Sequence, residues 1–154
     1  MASGAALLLA LLIPQTVPQT GGMVIFAPRR AAELLHQCSR STPKRDKGGW
    51  TPSVTDIARF EAKLSSTLPR VRMVPDSRKK LEGAPKGWIR QYVGIVRGGK
   101  RYIYGNFAPA SIDDYHAARR KIPVAVCDGG PSFFGAEYDV QKDAISDLDF
   151  NGIG

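Results

Sequence analysis

His36 and His116 are the only histidines of this 154-residue chain, and Cys38 and Cys127 its only cysteines. Four soft ligands dispersed in this way match no zinc or iron-sulfur spacing, so neither a metal centre nor a cofactor is expected. A Cys-His nucleophile pair would need Cys127 beside His116 or His36 and a third polar group to orient the base, and no such arrangement is readable. Basic residues are also missing where an exported chain often carries them, because no Lys or Arg precedes the apolar run at 5–13. That run is far shorter than the roughly 20 residues needed to cross a bilayer. It fits the apolar core of a secretory signal, so residues 1–22 are read as a leader and 23–154 as one domain. A transmembrane anchor is not expected.

Acids are scarce up to Cys127, where 21 Lys or Arg face 8 Asp or Glu, whereas Lys142 is the one base against six acids beyond it. A basic protein of pI near 9.8 is drawn to anionic partners, including nucleic acid, lipid headgroups and cell-wall polymers. The bases lie along linkers and strand edges instead of one helical face, and no RNA-binding aromatic motif, helix-turn-helix or zinc-finger spacing accompanies them. Nucleic acid is therefore the less favoured partner. With 43% hydrophobic residues, the chain has an ordinary globular composition and enough length to bury a core without metal clusters.

Two cysteines far apart in sequence admit two readings. In an exported protein they form one disulfide, which the loop-entropy model values at roughly 4–5 kcal/mol for a ring of this size. In a cytosolic protein they remain two buried thiols.

The strongest helical pattern covers 51–68, where Ile57, Phe60, Leu64 and Leu68 make one apolar stripe. Thr51 or Ser53 can cap it, Pro52 suits its first turn, and Pro69 stops it. A shorter helix is read at 28–38, with Leu34, Leu35 and Cys38 on one face, and another at 111–121. Trp50 is read as an anchor for the polar loop 39–49, and residues 70–86 as a flexible excursion or short edge element. The distal third reads as strands. A two-residue turn at Gly98-Gly99 sets a hairpin with Val93 opposite Tyr104, Ile95 opposite Tyr102 and Gln91 beside Asn106. On its other face Gly94 meets Ile103 and Gly105 meets Tyr92, each glycine leaving room for a large neighbour. Residues 123–127 are read as a strand entering the Asp128-Gly129-Gly130 turn. Phe134, Ala136 and Tyr138 then pair with a returning strand carrying Ser146, Leu148 and Phe150 inward. The expected fold is α+β: one main helix packed on a curled antiparallel sheet of four or five strands, a cystatin-like or nuclear-transport-factor-like layer.

The segments Gln37-Cys38-Ser39-Arg40, Trp50-Thr51-Pro52, Arg90-Gln91-Tyr92-Val93-Gly94, Ile103-Tyr104-Gly105-Asn106-Phe107, Val126-Cys127-Asp128-Gly129-Gly130 and Phe134 to Asp139 together resemble a group of small uncharacterised exported proteins of Gram-negative bacteria. The resemblance runs from about residue 30 to the C-terminus. It implies export and a pairing of Cys38 with Cys127, and it brings no activity.

Other motifs have cheaper structural explanations. Asp147-Leu148-Asp149-Phe150-Asn151-Gly152 matches the first half of a calcium loop, yet the bidentate acid such a loop needs at its twelfth position has no residue to supply it here. The Asp128-Gly129-Gly130 turn lacks the Lys and Ser or Thr of a phosphate loop. Glu137 and Asp139 share a face because strand periodicity is two. Tyr102 and Tyr104 belong with Val93 and Ile95 in the core, which argues against a base-stacking surface.

The expectation is thus a small exported, disulfide-stapled binding or inhibitor-like protein of the cell envelope, its partner an envelope protein or an anionic polymer, in the periplasm or outside the cell. One alternative is a small enzyme with a cavity between helix and sheet, faced by Tyr92, His116 or Asp128. The other is a basic cytosolic nucleic-acid-binding protein.

Overall fold

The computed structural model describes residues 22–112 and 122–154. Residues 1–21 of the leader read at 1–22, most of the helix expected at 111–121, and His116 lie outside the described residues. The fold is α+β, built on an open, mostly antiparallel sheet of six strands. These are β1 (Met23–Ile25), β2 (Gly49–Trp50), β3 (Ile89–Arg97), β4 (Lys100–Ala108), β5 (Phe134–Asp139) and β6 (Ala144–Phe150), with helices α1 (Ala31–Leu35), α2 (Val54–Thr67) and α3 (Pro75–Lys79). Strands β3 to β6 form an antiparallel meander. The expectation of four or five strands is corrected by β1 and β2. Both use the outer edge of β3: β1 runs parallel beside Arg90 to Tyr92, and β2 antiparallel beside Gly94 and Ile95.

The β3–β4 hairpin has the predicted register at every named pair. Gly98 and Gly99 make its two-residue turn with φ of 57° and 72°, left-handed angles that fit the strand twist and cost glycine little. Other residues also come close to these glycines. A Cβ on Gly105 would lie 2.9 Å from the Phe60 ring, and one on Gly94 would lie 2.2 Å from the Trp50 carbonyl. Gly94 therefore admits β2.

α2 starts at a capping box: Asp56 N–H donates to the Ser53 hydroxyl at 3.1 Å, and Ser53 N–H donates to the Asp56 carboxylate at 2.9 Å. Its Ile57, Phe60 and Leu64 are buried and cover the sheet face that carries Tyr92, Ile103, Phe107, Phe134, Ala136 and Tyr138. Phe60 stacks on Tyr138 with centroids 5.5 Å apart and meets Tyr92 and Phe107 edge-on. The opposite face, with Val93, Ile95, Tyr102 and Tyr104, packs against Phe26, Ala31 and Leu34. The sheet is buried on both sides, so its central strands read as nearly continuous apolar runs.

Several expectations are corrected. The helix read at 28–38 is a single 3-10 turn followed by α1, which ends at Leu35; Cys38 lies beyond it and is exposed. Residues 70–86, read as a flexible excursion or a short edge element, hold α3. In β6 a bulge opposite Glu137 and Tyr138 skips Ser146, so Ile145, Leu148 and Phe150 face the core, and the inward place expected for Ser146 goes to Ile145.

The strand expected at 123–127 has no strand partner. Side-chain amides bind its backbone instead. Val124 N–H donates to Gln91 Oε1 at 2.7 Å, and the Val124 carbonyl accepts from Asn106 Nδ2 at 2.8 Å and from Gln37 Nε2 at 3.1 Å. The Val126 carbonyl accepts from Asn151 Nδ2 at 2.6 Å. Arg40 closes the group, donating to the Tyr104 hydroxyl, to Asn106 and to Asn151. Gly135 makes room for it, since a Cβ there would lie 2.9 Å from Arg40 Nε.

Candidate functional site

Cys38 and Cys127 are bridged, with Cα atoms 5.0 Å apart, and both half-cystines are exposed. The bridge ties the Arg40 segment to residues 122–130 on the α1 side of the sheet. Of the residues read as facing a cavity, Tyr92 is buried on the α2 side. Asp128 is exposed in the turn after the bridge, where its carbonyl accepts from Asn151. The structure thus joins the two cysteines and leaves Tyr92 and Asp128 on opposite sides of the sheet. Among the described residues no group of three or more His, Cys, Asp or Glu is placed to hold a metal, and no helix is long and apolar enough to cross a membrane.

The Tyr92 hydroxyl does not face open space. It donates to Glu61 Oε1 at 2.6 Å, the same oxygen that Arg90 Nη1 reaches at 2.7 Å. Burial pushes the Tyr92 phenol well above its usual range, and the Glu61 charge pushes it further. A phenol held neutral in this way serves as a hydrogen-bond donor and not as a proton shuttle near neutral pH. Glu61 was not singled out in the sequence and Arg90 was not linked to it, although a signal was present. Glu61 falls between Ile57 and Leu64 inside the apolar stripe, and Arg90 shares a strand face with Tyr92 because they are two residues apart.

Beyond this trio the surface opens into a groove. Ala58, Ala62 and Ser65 of α2 form one wall, Pro85, Lys86 and Gly87 the other, and Glu61 with Arg90 the floor, enclosing about 610 Å³. At Ser65 it meets a second groove of about 610 Å³, floored by Leu68, Met73, Leu81 and Ala84 and flanked by Arg78, Lys79 and Glu82. Arg78 holds this wall in shape by donating to the Val71 carbonyl at 2.9 Å and to the Pro69 carbonyl. Volumes of this order suit an inserted side chain or a small ligand. The segment 70–86 carries Arg70, Arg72, Arg78, Lys79, Lys80 and Lys86 against Asp76 and Glu82, so the apolar floor has a positive rim.

Fold and site together define a small, singly bridged α+β protein with a mostly antiparallel sheet covered on both faces and a groove beside its longest helix. No family model, no curated protein and no solved structure matches the chain.

Proposed function

We propose that this chain is a small exported, disulfide-stapled binding protein of the cell envelope, which seats an apolar, acidic segment of an envelope partner in the groove beside α2. The observation that carries the reading is the groove itself: an apolar floor, a rim of Lys79 and Lys86, and one fixed acceptor, Glu61, at its base. Apolar side chains of the partner fill the floor, acids lie against the rim, and a donor meets Glu61. The bridge between Cys38 and Cys127 supports an oxidising compartment, periplasmic or extracellular, because such bonds are rare where thiols are kept reduced. α2 laid across the four-stranded meander supports a cystatin-like layer. The enzyme reading needs an open cone between helix and sheet, and Phe60, Tyr92, Phe107 and Tyr138 fill that space.

The test is a photo-cross-linking amino acid at Ser65, with Ser146 on the far strand as control, introduced into the protein in its own host. A Ser65 adduct that saturates and is displaced by excess unlabelled protein is the expected result. Equal labelling from Ser146, or none from Ser65, would sink the reading. Intact mass of the recovered protein, with a count of free thiols, tests export: full length with two thiols contradicts it.

A further inference from the structure

Bases that are remote in sequence converge at the end of the sheet opposite the groove. Lys100 and Arg101 open β4 at the hairpin tip. The loop carrying Lys44, Arg45 and Lys47 is fastened beside them: Asp46 N–H donates to the Val96 carbonyl at 2.8 Å, Arg97 donates to the Lys44 carbonyl at 3.0 Å, and Gly98 N–H donates to the Asp46 carboxylate at 2.7 Å. From the other side the β5–β6 turn, with Lys142, is joined by Val140 N–H to the Arg101 carbonyl at 3.3 Å. Lys44, Lys47, Lys100, Arg101 and Lys142 are all exposed.

The acids nearby are already engaged. Glu137 is gripped by both terminal nitrogens of Arg97 at 2.8 Å. Asp46 holds the Gly98 amide, and Asp139 accepts from the amides of Gln141 and Lys142. Among the described residues none of the four pole lysines takes part in an ion pair. Between the hairpin tip and the turn lies a cleft of about 300 Å³ lined by Gly99, Lys100, Arg101, Val140 and Gln141. It has the size for one phosphate or sugar phosphate, with cations on its walls.

The aromatic rings here are already covered. Arg97 lies 4.2 Å from the Tyr102 ring centre and Arg101 lies 4.9 Å from that of Trp50. Bases of single-stranded nucleic acid need uncovered rings for stacking, so the pole favours charge without bases. We propose that this basic pole docks a phosphate-bearing polyanionic polymer, one phosphate seating in the Gly99–Gln141 cleft and its neighbours lying along Lys44, Lys47 and Lys142. The surface is separate from the groove and does not depend on a partner there.

The test is a titration of the full disulfide-bonded protein with sodium polyphosphate over a range of salt. Lys47→Ala/Lys100→Ala/Lys142→Ala is compared with a control in the basic segment 70–86, Arg72→Ala/Lys79→Ala/Lys86→Ala, which has the same net charge. The pole variant is expected to bind at least about tenfold more weakly at low salt, with its log–log salt slope reduced by about two, as expected for three lost phosphate contacts on a single strand. The control is expected to keep most of the affinity. Equal losses in both variants would reduce the effect to net charge, and no loss in the pole variant would remove the site; either result overturns the proposal. Tighter binding to oligothymidylate or to phosphatidylglycerol vesicles than to polyphosphate would overturn the choice of partner. Cross-linking at Ser65 that persists in the pole variant separates this surface from the groove.

Discussion

Tyr138 stacks on Phe60, and its hydroxyl donates to Asp143. Burial, then that bond to a carboxylate, pushes its phenol from the ordinary 10 up to about 12, and Tyr104 and Tyr92 shift the same way. Above pH 10 the unfolded chain releases these protons while the folded chain keeps them, so stability falls as pH rises until the folded phenols titrate. A spectrophotometric titration should show Tyr138 ionising near 12, and denaturant midpoints should drop between pH 10 and 12. Asp56 runs the opposite way. Its carboxyl is held below the usual range by its bonds to Ser53, so its contribution is present above the unfolded value and lost as pH falls through the folded one. Gly105 supplies a steric counterpart. With a Cβ 2.7 Å from Phe107 and 2.9 Å from Phe60, Gly105→Ala should destabilise by about 1–3 kcal/mol through overpacking. Urea unfolding measures it.

α2 depends on its cap as well as its buried face. Ser53→Ala removes the acceptor for Asp56 N–H and should cost about 0.5–2 kcal/mol in urea unfolding. Residues 122–130 depend on side-chain amides, and here the expected effect is larger than surface polarity would suggest. Asn106→Leu strips a buried donor from both Val124 O and Gln91 Oε1. Each acceptor keeps one other donor, Gln37 Nε2 for Val124 O and Val124 N–H for Gln91 Oε1, so the loss is that of two buried hydrogen bonds, about 0.5–1.5 kcal/mol each, and amide exchange at Val124 should quicken. This element also marks where the sequence stopped being legible. Val124 and Val126 alternate as strand residues do, and that alternation is the same whether main chain or side-chain amides bind the backbone. The register of β3 and β4 was readable because a two-residue turn at Gly98-Gly99 fixes every pair behind it. The bulge at Ser146 was not, since an extra residue leaves no mark on composition. Of the groove, the apolar stripe of α2 was visible, but its opposite wall was read only as an excursion. The basic pole was invisible, because loop pairing, not sequence proximity, gathers Lys47, Lys100 and Lys142.

At the scale of the whole molecule the bridge between Cys38 and Cys127, 89 residues apart in sequence, is the main long-range covalent constraint. Removing it with Cys38→Ser/Cys127→Ser should lower stability by about 2–5 kcal/mol, read as a shift in urea midpoint. The amide group around Asn106 and Arg40 should keep residues 122–130 folded at low denaturant, so the far-ultraviolet spectrum of the double variant is expected to match that of the oxidised protein.

The same bridge divides the chain mechanically. α2 and the β3–β4 hairpin lie inside the covalent ring, whereas β1 and the β5–β6 hairpin lie outside it. If the molecule were stretched between Met23 and Asn151, tension would pass along residues 23–38, cross the sulfurs and continue from 127. Once β1 has been peeled from β3 and β5 from β4, the ring would carry no load. Extension would then stop short of the full contour until a reductant cut the bridge, after which the helix and hairpin would be released as a second, longer step.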